Sequence, residues 1–74
     1  MIKVFIHTPT IRLKDALKFA GIAENGGHAK LLIKDEKVKV NGEICTVSGK
    51  QLAPGDMFTI DGMDYYVTGD FSAQ

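Results

Sequence analysis

At the start of the chain Ile2-Lys3-Val4-Phe5-Ile6 alternates weakly between apolar and polar and is rich in Val, Ile and Phe, which predicts a strand. Thr8-Pro9-Thr10 ends it, because proline has no N–H to give to a ladder. The spacing then changes. Leu13, Ala16, Leu17 and Ala20 fall at i, i+3, i+4 and i+7, one face of a helix over about 13–20, with Phe19 off that face. Gly21 suits the left-handed position just past the helix end. Asn25 is a good N-cap for a second helix over about 26–35, whose apolar stripe is Ala29, Leu32 and Ile33. Leu31 points away from that stripe and has no partner in this scheme. Lys30 and Lys34, four apart, share an adjacent face.

Lys37-Val38-Lys39-Val40 alternates strictly, so valines and lysines occupy opposite faces of a strand. Asn41-Gly42 predicts a hairpin, since both residues tolerate the positive φ of a type I′ turn. Its register is open. A two-residue turn pairs Val40 with Glu43 and puts Ile44 on the lysine face, whereas a three-residue loop puts Ile44 with Val40. Leu52-Ala53-Pro54-Gly55-Asp56 is a turn. Met57-Phe58-Thr59-Ile60 and Tyr65-Tyr66-Val67 read as strands around Asp61-Gly62, and the chain from Gly69 is expected to fray. No repeat or second domain appears. The order strand, helix, helix, then three or four strands predicts an α+β domain over residues 1–70, with two short helices packed on a small, mostly antiparallel sheet and a tail at 71–74.

Composition narrows the class. An apolar share of 45% in 74 residues fits one small globular domain. No run of ~18 apolar residues suggests a membrane span. The opening residues lack the pattern of a signal peptide. The lone Cys45 forms no disulfide framework and fits a reducing cytoplasm. Net charge is zero but polarised: residues 1–50 carry nine basic and five acidic residues, a net of +4, while residues 51–74 carry four acidic residues and no basic one. Such a chain can present a basic face to a polyanion.

The residues offer little catalytic chemistry. His7 and His28 are far apart and no zinc-ligand spacing exists, so neither a catalytic residue, a metal nor a cofactor is expected. Cys45 has no basic partner in sequence and reads as a packed thiol. His28 fits an exposed helix position and an RNA contact equally well. Gly26-Gly27 at a helix start is compatible with a phosphate site, through free N–H groups and the positive dipole end, and with a plain flexible turn. Lys30, Lys34, Lys37 and Lys39 form the main basic set. They could line one groove if the second helix packs beside the hairpin. Alternatively, Lys34 complements the helix dipole and the strand lysines guard a sheet edge. Nothing in the order of residues marks an aromatic cluster on which bases would stack.

The ordered combination Asn25-Gly26-Gly27-His28-Ala29-Lys30-Leu31-Leu32-Ile33, Val38-Lys39-Val40-Asn41-Gly42-Glu43 and Leu52-Ala53-Pro54-Gly55-Asp56 resembles the S-four RNA-binding domain, named for small-subunit ribosomal protein four. The Gly-Gly-x-Ala-Lys segment is most similar to a bacterial subgroup of stand-alone members. The resemblance spans roughly Ile11 to Val67. It implies the alpha-L RNA-binding motif and a non-enzymatic protein that recognises structured ribosomal or transfer RNA through the second helix and adjacent hairpin. It further implies the ribosome as a partner, no membrane, and an oligomeric state left open with a monomer favoured. The implied site is Lys30, Lys34, Lys37 and Lys39 with the N–H groups at Gly26 and Gly27, and Arg12, Lys14 and Lys50 as outlying members. Two positions depart from the usual pattern. Gly26 and Gly27 stand where many members carry an arginine, and Glu36 stands where many carry glycine. One alternative is a protein-interaction module on the ribosome or an enzyme. Another is a ubiquitin-like sulfur carrier, whose Val-Asn-Gly-Glu hairpin is similar but whose chemistry needs a terminal Gly-Gly; this chain ends Phe71-Ser72-Ala73-Gln74.

Overall fold

The computed structural model describes residues 2–69. The chain runs β1 (Ile2–Ile6), β2 (Ile11–Arg12), α1 (Leu13–Phe19), α2 (Gly26–Lys34), β3 (Val38–Val40), β4 (Glu43–Ile44), β5 (Gln51–Leu52), β6 (Met57–Ile60) and β7 (Met63–Gly69). Five strands form one sheet in the order β1-β7-β6-β3-β4, and β2 pairs with β5 in a separate two-stranded ladder. Among the described residues only the β1–β7 pairing is parallel, joining their first strand to their last. The predicted architecture of two helices on a mostly antiparallel sheet is what the chain adopts.

Both helices end in the same way. Beyond α1, Gly21 has φ +78°, its N–H reaches the Lys18 carbonyl (3.0 Å), and the Ile22 N–H reaches Leu17 (2.9 Å). Beyond α2, Glu36 has φ +61°, its N–H reaches Ile33 (3.1 Å), and the Lys37 N–H reaches Leu32 (3.3 Å). Both are Schellman ends, which use one left-handed residue to satisfy orphan carbonyls. The second carries its left-handed residue as glutamate rather than glycine.

The hairpin register resolves to a two-residue turn. Asn41 and Gly42 both have positive φ (51° and 90°), Val40 faces Glu43, and Lys39 faces Ile44. Ile44 is therefore on the lysine face and 53% exposed. Asp61-Gly62 makes a turn of the same kind (φ 53° and 77°), so β7 begins at Met63, earlier than the expected Tyr65. Its other end is longer too. Gly69, expected to fray, pairs with Ile6. The expectation for residues 71–74 lies outside the described residues. Strands β2 and β5 are not among the elements the sequence predicts, because at two residues each they are too short for any periodicity.

The core draws on every layer: Val4 and Ile6, Leu13, Ala16 and Leu17, Ala29 and Ile33, Val38 and Val40, Leu52, Phe58 and Ile60, and Val67 are all buried. Phe58 stacks on Tyr65, its cross-strand partner, at 5.1 Å between ring centres. The alternation that buries Val38 and Val40 turns Lys39 to the opposite face of the sheet. The same rule places Lys3 and Phe5 opposite Val4 and Ile6.

Candidate RNA interface

The start of α2 is built to hold its own cap and leave two donors free. The Asn25 side-chain oxygen accepts the His28 N–H at 2.9 Å, and the His28 ring nitrogen Nδ1 accepts the Glu24 N–H at 3.3 Å. The arrangement is similar to a capping box, with histidine at the position of glutamate but accepting the N–H of Glu24, one residue before the N-cap. A Cβ on Gly27 would lie 3.3 Å from the capping oxygen, tight enough to press on it, whereas one on Gly26 would meet nothing within 4 Å. Gly27 is thus explained by the cap. The N–H groups of Gly26 and Gly27 have no acceptor among the described residues. They sit at the positive end of the helix, an arrangement suited to a phosphate oxygen. Lys30 and Lys34 follow along one flank of α2, both exposed. Leu31, 63% exposed, stands beside them on the solvent side of the helix.

The four lysines do not share one face. Lys30 and Lys34 belong to the helix that buries Ala29 and Ile33 against the inner side of the sheet, while Lys39 projects from the outer side. Lys34 and Lys37 flank the Schellman turn that links the two, with Glu36 between them in sequence. Among the described residues none of the four is in an ion pair, whereas Lys18 is tied to Asp15 at 3.6 Å.

Arg12, Lys14 and Lys50 are distant in sequence, yet the fold joins them. Arg12 pairs with Gln51 in the β2–β5 ladder. The Leu13 N–H bonds the Lys50 carbonyl (2.8 Å) and the Lys14 N–H bonds that of Ser48 (3.1 Å). The loop thereby caps α1, which has no side-chain cap of its own, and sets Lys50 beside Arg12 and Lys14. These donors are consumed by the protein, so α1, unlike α2, offers no free helix start.

Asp56, expected in the Pro-Gly-Asp turn, is also a clamp. Asp56 accepts the Ala53 N–H at 2.7 Å and the Asn41 side-chain amide at 3.2 Å, and Asn41 Oδ1 accepts the Met57 N–H at 3.0 Å. The hairpin turn and the Pro-Gly-Asp turn are locked together by these bonds. Asp64 likewise accepts the Thr59 hydroxyl at 2.9 Å. Cys45 is half-buried, packs against the core and directs Sγ toward the Val47 carbonyl at 3.7 Å. Among the described residues no three His, Cys, Asp or Glu side chains gather as a metal site would require, and no helix is long and apolar enough to cross a membrane.

The S4 domain family model matches residues 4–68. The probable ribosome maturation protein RlbA of Bacillus subtilis (strain 168) is 36% identical over 59 residues, covering 80% of this chain and 83% of that protein. The solution structure of YbcJ from E. coli, described as having an alfa-L motif involved in RNA binding, superposes with a TM-score of 0.70 at 29% identity. The match covers 92% of this chain and 87% of that one.

Proposed function

The chain belongs to the S4 domain family, and from that premise we propose that it is an RNA-binding protein that recognises structured ribosomal or transfer RNA, chiefly through phosphate contacts. The observation that carries this reading is the start of α2. At Gly26 and Gly27 two N–H groups without an acceptor among the described residues lie at the positive end of the helix, one turn ahead of Lys30, which is in no ion pair among those residues. Backbone donors and lysine together read phosphate position and shape rather than base identity. Lys34 and Lys37 at the following turn, and Arg12, Lys14 and Lys50 around α1, extend the basic surface. The relatives, one a probable ribosome maturation protein and one with a motif involved in RNA binding, support RNA on or near the ribosome as the partner.

The test is direct. Affinity for ribosomal or transfer RNA is measured across a salt series. With about three or four phosphates neutralised, log affinity falls against log salt with a slope of roughly −2 to −4. Reversing Lys30 and Lys34 to glutamate abolishes binding while the melting temperature holds, because both side chains are exposed. Unchanged binding by that variant, or no salt-dependent binding by the wild type, would leave a protein-interaction module as the better account.

A further inference from the structure

The parallel pairing of β1 with β7 creates a second surface, far in sequence from α2. Strand β1 is an edge of the five-stranded sheet, and its outer edge pairs with nothing among the described residues. A groove of about 370 Å³ runs along it, lined among others by Lys3, Phe5 and Phe19. That volume lies within the range of small-ligand sites, roughly 300–1,000 Å³. Phe5 is 52% and Phe19 61% exposed, so two aromatic rings stand in water beside one groove. Lys3, also exposed, shares the outer sheet face with Phe5 and is the register partner of Tyr66.

We propose that the β1 edge is a second contact site for the RNA, taking an unpaired nucleotide, with its base against Phe5 and Phe19 and its phosphate at Lys3. The inference rests on the RNA-binding reading but uses none of the α2 residues. Three features of the groove select this occupant. An aromatic ring accepts the π-face of any unstacked base. Lys3 supplies a point charge for phosphate. The unpaired main-chain groups of β1 can bond the exposed edge of a base. A partner strand, from another protein or a second copy of this chain, fits less well. A lysine within an edge strand opposes strand addition, and burying it in an apolar interface strips its ammonium of water. A duplex does not fit either, because its bases are already stacked on each other.

The experiment titrates the full chain with a single-stranded oligoribonucleotide about eight nucleotides long, within the usual size of a single-strand groove. Amide resonances and affinity are both followed. The amides of Lys3, Phe5, Phe19 and Ala20 are expected to shift. Phe5→Ala, and separately Phe19→Ala, each weaken the oligonucleotide about five- to a hundredfold, the usual effect of losing one stacking ring. Lys30→Glu with Lys34→Glu abolishes binding of structured RNA but leaves the oligonucleotide-induced shifts at Lys3, Phe5 and Phe19 in place, so the two sites fail independently. Shifts confined to α2, or full affinity in both phenylalanine variants, would overturn the proposal. So would Phe5 shifts that depend on protein concentration without RNA, which would mark the edge as a contact between copies of this chain.

Discussion

Glu36 sits in a conformation that favours glycine. At φ +61° its Cβ crowds the backbone, a cost of roughly 1–2 kcal/mol for an L-residue held in the left-handed region. Glu36→Gly is therefore expected to stabilise the domain by about 1 kcal/mol, raising the melting temperature by roughly 4–8 °C in a chain of this size. It also removes a negative charge from between Lys34 and Lys37. Its RNA affinity should exceed that of the wild type at low salt, and the gain should shrink as salt screens the surface. A melting temperature at or below the wild type would show that the glutamate side chain makes a compensating contact. Asp56 works in the opposite direction. Its carboxylate serves the half-buried Ala53 N–H and the Asn41 amide, so Asp56→Ala leaves an unsatisfied donor and is expected to cost about 1–3 kcal/mol in urea unfolding.

At the scale of elements, the helices are held by packing rather than by their own propensity. At seven and nine residues, α1 and α2 are too short to persist alone in water. Leu17 on α1 and Ile33 on α2 are fully buried, and truncating either to alanine is expected to cost about 2–5 kcal/mol. A loss well under one kcal/mol in chemical denaturation would show that the helix layer is not part of the core. Leu31→Ala, one helix position from Leu32 but 63% exposed, should change stability by less than about 0.5 kcal/mol. The pair of variants separates the two faces of α2 in one measurement. The Asn25 cap adds a test of its own: Gly27→Ala presses a methyl group on the capping oxygen at 3.3 Å and should destabilise α2, whereas Gly26→Ala, with open space around it, should not.

For the whole molecule, the sequence determined those features whose physics is local. Periodicity marked β1 and both helices, because one face of each must be apolar to enter a core. Asn25, Gly21 and the Asn41-Gly42 pair announced a cap, a helix end and a hairpin, because each conformation admits few residue types. The ordered set of these signals also carried the resemblance to the family. Long-range pairing decided the rest. The two-residue ladder of β2 and β5 has no period to detect, yet it gathers Arg12, Lys14 and Lys50 around α1. The hairpin register, open in the sequence, was settled where the Asn41 side chain meets Asp56 and Met57. The single groove imagined for four lysines came apart, because strand alternation turns Lys39 away from the face on which α2 packs. The sequence suggested no aromatic platform, since Phe5, Phe19 and Tyr66 are scattered along the chain. The groove along the β1 edge gathers Phe5 and Phe19 beside Lys3, and the β1–β7 pairing sets Tyr66 next to it. Residue order specifies which faces are apolar and which turns can close, while the partner of each face is chosen only when distant segments bury them together.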